Sequence, residues 1–265
     1  MKKLMSYVKG LCFGSLSMVS VIVTLWPVGP LFATEFFCSS GNVTCLIVAI
    51  NDANALTGEH MINLEPGIYT LQIADNTTDG PNGLPSIRRS IQILATAEDP
   101  PTVIERDPDA LGFRIFHISL GGELGLDGVI VERGGPGGSL RGPAIFNRGS
   151  TSLRDSIVTN ALGEAGAIHN IGILNMFRSI VSDNSGFHEG GGIHNEAGGV
   201  VLVENSTIGH NLSADGGGIK NIGSLVVRNS SIVFNRTDSQ QGGGGIANSG
   251  SVEIVNSTIA KNEAG

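Results

Sequence analysis

Short bursts of alternating aliphatic residues, each closed by glycine, asparagine or serine, run through the C-terminal two-thirds of the chain and resolve into a repeat towards its end. Residues 190–211 read GGGIHNEAGGVVLVENSTIGHN, residues 216–235 read GGGIKNIGSLVVRNSSIVFN and residues 243–262 read GGGIANSGSVEIVNSTIAKN. Each unit opens on a glycine run and Ile-x-Asn, alternates through its middle, and closes on Ser-x-Ile/Val-x-x-Asn. Period-2 alternation bounded by turn residues predicts short strands. A period in the twenties built from strands predicts a solenoid.

Two markers set the repeat length independently. Ile-x-Asn recurs at Ile145, Ile168, Ile193, Ile219 and Ile246, ending on Asn147, Asn170, Asn195, Asn221 and Asn248. The second asparagine recurs at Asn160, Asn184, Asn211, Asn235 and Asn262. Both give one coil per repeat. Leu153, Ile173, Leu174, Val201, Val203, Val226, Val252 and Ile254 lie between the markers and are expected inside. Three short strands per coil predict an all-β, parallel β-helix, right-handed by the general preference of β-crossover-β connections. Leucine-rich repeats share the period, but their spaced leucines and repeat helix are missing here. With coils stacked about 4.8 Å apart, each repeat position becomes a column. Aliphatic columns fill the interior, and the ten asparagines form structural ladders in which amide bonds to amide along the stack.

Earlier segments read differently. Residues 1–33 have Lys2, Lys3 and Lys9, then an apolar run, then Pro27, Gly29 and Pro30, with Ala33 as a cleavage point; this is the pattern of a secretory signal. No other segment has the length and apolarity to span a membrane. Residues 34–83 read as an N-terminal cap. Leu46, Ala49, Ile50 and Ala53 recur at helical spacing within 44–56, with Thr44 as the expected N-cap, and 61–71 reads as strand, turn, strand. A solenoid needs its open end covered, and a helix ahead of the first coil serves that purpose. Residues 84–265 are the β-helix repeats. The last one stops where the other copies continue into a glycine run, so an open terminal coil that could self-associate is expected.

TCLIVAINDANA (44–55), INLEPGIYTL (62–71) and GLPSI (83–87) together resemble the CSLREA domain found ahead of β-helix repeats in exported bacterial proteins. Leu46, Ala49, Ile50, Asn54, Ala55, Ile62, Leu64, Pro66, Gly67, Tyr69 and Leu71 match its pattern. Thr44, Cys45, Ile47 and Val48 depart from it, replacing its Cys, Ser, Arg and Glu and making the helix more apolar. The resemblance covers residues 44–87 and implies export and a β-helix; it implies no catalytic residue.

Charge narrows the function. The first 33 residues hold three of the 16 basic residues and no acid, leaving 13 against 24 acidic, a net charge near −11. That argues against nucleic-acid and anionic-membrane binding, which need basic faces. Glycans or other surface proteins are the expected partners, no cofactor or metal is implied, and an exported location (secreted, periplasmic, or at the cell surface or outer membrane) is expected. Of three cysteines, Cys12 lies in the signal segment, which leaves Cys38 and Cys45 as one pair that a disulfide could close.

Two sets of residues are candidates for chemistry. His169 and His194 share a column, and stacked imidazoles suit a transition metal. The next members, Lys220 and Ala247, and the preceding Phe146 supply no third ligand. The position alternates outward from a buried isoleucine, which predicts a solvated surface column. Glu123, Asp127, Glu132 and Asp155, near Arg133, Arg141 and Arg154, are the acids available for the calcium or acid/base chemistry of a polysaccharide lyase or hydrolase. They do not recur as a column, and Asp155 stands where other coils have Ser206, Ser230 or Ser257. The sequence therefore favours a non-catalytic surface or secreted module, with an enzyme acting in a groove as the alternative.

Overall fold

The computed structural model describes residues 32–97, 99–135, 140–238 and 242–265. The segment read as a signal lies outside the described residues as far as residue 31. The protein is an all-β parallel β-helix with one short helix near its N-terminus. Among the described residues no helix is long and apolar enough to cross a membrane.

Each regular coil contributes to four sheets rather than three. In one full coil these strands are Ile168–Asn170 (face 1), Ile173–Phe177 (face 2), Ile180–Ser182 (face 3) and Ser185–Glu189 (face 4). Among the described residues the faces stack into sheets of six, nine, eight and five strands. Face 4 left no hydrophobic trace. Its strands read LGEA, SGFHE, LS, RT and EA, too short and polar to alternate visibly.

Register is kept by inward columns. On face 3, Tyr69, Ile104, Val131, Val158, Val181, Ile208 and Ile232 are stacked neighbours, all buried. On face 2 the inward positions include Leu174, Val201 and Leu225 in one column and Met176, Val203 and Val227 in the next. Two expected interior residues are thereby corrected. Ile173 is 47% exposed and Val226 faces outward, because inward positions alternate with them along the strand.

Polar ladders run beside the aliphatic columns. Asn147, Asn170, Asn195 and Asn221 each donate from the side-chain amide to the Oδ1 of the next asparagine, ending on Asn248, at 2.6–2.8 Å. Asn184, Asn211 and Asn235 do the same towards Asn262 at 2.9–3.0 Å. Asn160 is not part of this second ladder. Ala161 takes the place, its N–H donating to Asn184 Oδ1 at 3.0 Å, while Asn160 occupies an exposed left-handed turn and donates to Glu132. A serine ladder accompanies them, the backbone N–H of Ser156, Ser179, Ser206 and Ser230 each donating to the hydroxyl of the next coil's serine.

At the N-terminal end the helix spans Val43–Ala55 and lays Leu46, Ala49, Ile50 and Ala53 over the first coil. Its N-cap is Asn42, whose Oδ1 accepts from Cys45 N–H at 3.0 Å, not Thr44. Asn42 stands three residues before the amide it caps, the spacing a cap requires. Cys38 and Cys45 are disulfide-bonded and tie the first strand to the helix. The strands Glu59–Leu64 and Gly67–Leu71 pair in parallel with the strands of the next coil, so the capping segment already contains a turn of the β-helix. At the other end Val252, Ile254 and Ile259 are in register with buried Leu225, Val227 and Ile232 but are themselves exposed.

Replacing Asn195 with Leu removes one acceptor of the buried Asn170 amide and the Asn195 amide that donates to the buried Oδ1 of Asn221. We expect a loss of about 1–3 kcal/mol in chemical denaturation. Asn160→Gly, outside the ladder and at a left-handed φ that glycine accepts, should change stability by less than about 0.5 kcal/mol. An unchanged midpoint for Asn195→Leu contradicts the inward ladder.

Candidate functional site

The middle residues of face 1 form a column on the outer side of the sheet: His117, Phe146, His169, His194, Lys220 and Ala247, paired in that order. His117 stacks on Phe146 with ring centres 5.7 Å apart, and Phe146 on His169 at 5.2 Å. His169 meets His194 edge-on at 4.8 Å.

This column is not solvated, contrary to the expectation from alternation. His117, His169 and His194 are each about 1% exposed. The reason lies in the corner between faces 4 and 1. Gly142, Gly166 and Gly190 adopt left-handed φ values there, and their backbone lies close against face 1. A Cβ added to Gly142 would stand 3.0 Å from the Cβ of His169, and one added to Gly166 3.1 Å from that of His194. Period-2 alternation assigns a side chain to the outside of its sheet; whether another part of the coil covers that outside depends on the corner.

The charged residues around the column come from several coils. Arg114 lies over the Phe146 ring at 4.7 Å and donates to Asn82 Oδ1 at 2.9 Å. His117 has both nitrogens partnered, Nδ1 with Ser86 Oγ at 2.9 Å and Nε2 with Asp79 Oδ2 at 3.1 Å, and Arg148 holds the same carboxylate at 2.7 Å. His169 Nε2 faces Glu196 Oε1 at 3.4 Å, and Arg141 reaches that oxygen at 3.7 Å. His194 Nδ1 lies 3.6 Å from Glu189 Oε2. Both nitrogens of His194 and Nδ1 of His169 are buried without a hydrogen-bond partner. Lys220 pairs with Asp215.

Burial holds His169 neutral, its pKa pushed down to about 3, with His194, Arg141 and Arg114 adding to the effect. The pKa of His194 is also lowered, by burial above all, against the opposing pull of Glu189 and Glu196. Two neutral imidazoles with free lone pairs and a carboxylate within reach have the donor set of a metal site. Glu196 supplies the third donor that the column itself lacked. The sequence did contain a signal for it: Glu196 follows His194 by two residues, which places both on one side of an extended chain. Arg114, Arg141 and Glu189 reach the column through the corner and left no such trace.

The acidic candidates are not brought into one cluster. Glu123 and Asp127 stand at opposite ends of one face-2 strand, roughly 13 Å apart by strand rise. Glu132 is on face 3, paired with Arg133 at 3.1 Å. Asp155 is an exposed turn residue at φ +48°, aligned with Arg178, Asn205, Asn229 and Asn256, all left-handed. The serines it was matched to align instead with Ser156, one residue later. Asp127 and Asp155 do share a neighbourhood. Partial burial, then the charge of Asp155, raises the Asp127 pKa, whereas the hydrogen bond from Arg178 lowers that of Asp155. Arg154 and Arg178 both lie over the Phe177 ring beside this pair.

Gly166→Ala tests the corner. The new Cβ would stand 2.6 Å from His194 N and Ile168 O at a φ of +50°. We expect about 1–2 kcal/mol for the backbone conformation and a further 1–3 kcal/mol for the clash. Gly198→Ala, at φ +85° with nothing within 4 Å, should cost the first contribution alone. Equal losses in urea melts contradict the close cover over His194.

No protein-family model and no curated protein matches the chain. The likeness of residues 44–87 to the CSLREA domain therefore stands on those residues alone, and no relative assigns an activity to the column.

Proposed function

We propose that the protein is an exported, bacterial, non-catalytic β-helix module of the secreted or cell-surface kind, acting as an adhesive, binding or structural scaffold. The observation that supports it best is the dispersal of the acids over separate strands of an otherwise regular stack. Lyases and hydrolases of polysaccharides need convergent carboxylates; a rod that presents repeating outer columns does not.

Export draws support from the basic-then-apolar pattern of residues 1–33, the CSLREA-like segment and the Cys38–Cys45 disulfide, which suits an oxidising compartment. The acidic balance argues for glycans or surface proteins as partners and against nucleic acid.

A second reading rests on Asp127 and Asp155. Two neighbouring carboxylates whose pKa values move apart, flanked by two arginines and an aromatic ring, are the parts of a glycan-cleaving site. A panel of neutral and uronate polysaccharides, with and without calcium, separates the two. The scaffold reading expects no new reducing ends and no unsaturated uronides, together with retention on a glycan array or on cells. Turnover that Asp127→Ala or Asp155→Ala abolishes overturns it.

A further inference from the structure

We infer that His169, His194 and Glu196 form a binding site for a divalent transition metal of the zinc class. One donor atom from each of the three residues lies within 4.8 Å of the other two. His169 Nε2 and Glu196 Oε1 are 3.4 Å apart, which is roughly the edge of a tetrahedron around zinc with bonds of about 2.0–2.1 Å. His194 meets His169 at right angles with ring centres 4.8 Å apart.

His194 makes the strongest case. It is about 1% exposed, and neither ring nitrogen has a hydrogen-bond partner. Buried imidazole is normally satisfied, and an orphan of this kind calls for an explanation. His117, in the same column and equally buried, has both nitrogens partnered. The fold can thus satisfy a histidine at this position, and at His194 it leaves the donor free. Glu189 Oε2, 3.6 Å from His194 Nδ1, stands where a carboxylate behind a metal-bound imidazole orients the ring and raises its basicity. The metal would then bind through Nε2.

Charge balance agrees. Glu189 and Glu196 bring two negative charges to the site. Lys220, next in the column, is already paired with Asp215. Arg114 and Arg141 are the opposing charges, and the one that reaches Glu196 is Arg141. Its contact with Glu196 is long at 3.7 Å and its side chain is half-exposed, so it can turn to solvent when a cation arrives. Imidazole with one carboxylate favours zinc, copper or nickel over magnesium or calcium. Three protein donors leave a fourth position for water or a ligand group, an arrangement independent of whether the rod binds or cleaves glycans.

The test uses the untagged full chain, stripped with chelator, equilibrated with Zn²⁺ at neutral pH and dialysed, with bound metal measured by elemental analysis. One equivalent should be retained, and Co²⁺ in its place should show the visible absorption of a four- or five-coordinate ion. Glu196→Gln should weaken binding at least tenfold, and His169→Phe should remove it; Phe146 shows that the column accepts a phenyl ring. Far-UV circular dichroism checks that each variant remains folded, and Glu196→Gln, a near-isosteric change at a partly exposed residue, keeps the test open if His169→Phe unfolds. Retention well below one equivalent, or full retention in Glu196→Gln, overturns the inference.

Discussion

The regular coils from Asn147 onward depend on amide groups that bond to their own copies one coil away. A parallel β-helix must turn a corner several times per coil, and each corner leaves backbone donors and acceptors facing the interior. Asparagine solves this locally. In the Asn147–Asn248 ladder the same Nδ2 that reaches the next Oδ1 also lies near a backbone carbonyl, as Asn147 does with Ile173 O at 2.8 Å. In the Asn184–Asn262 ladder one Oδ1 accepts both from the preceding amide side chain and from a backbone N–H. A slip of one residue would break both ladders and turn every aliphatic column outward, so the ladders specify register as well as stability.

From those ladders the rest of the molecule follows. Fixed register puts like residues over like, which makes a rod with aliphatic columns inside and mixed columns outside. Outward positions are free to vary, and they hold charged pairs such as Arg178–Asp155 and stacked rings such as His210–Phe234. The face 4 to face 1 corner is the exception. There the left-handed glycines bring backbone close against an outward column, and side chains that alternation puts outside become buried. The outer side of face 1, beside that corner, is the only place among the described residues where metal-ligating side chains converge in a group of three.

The period and the parallel β-helix were legible in the sequence because two markers recur with nearly equal steps and because coil stacking forces aliphatic identity along a column. The helix at 43–55 and its buried face were legible from 3.6-residue spacing. What was not legible depends on contacts between unlike parts of one coil. Asn160 shares the spacing of the ladder residues yet lies one position off it, because an alanine can take the inward place and leave the asparagine the turn. Asp155 was matched to serines one residue away for the same reason. The burial of His169 and His194 arises from the glycine corner, and no pattern along a single strand encodes how closely that corner packs. Glu196 was within reach of the period-2 rule, but it lies beyond the end of its strand, where alternation is no longer assured.

Hydrogen exchange of the asparagine side-chain amides, read by NMR residue by residue, tests the ladder most directly. The Nδ2 protons of Asn170, Asn195 and Asn221 should exchange orders of magnitude more slowly than those of exposed Asn160, and as slowly as the backbone amides of the neighbouring strands. Exchange of the ladder amides at the rate of Asn160 would contradict an interior held by paired amides.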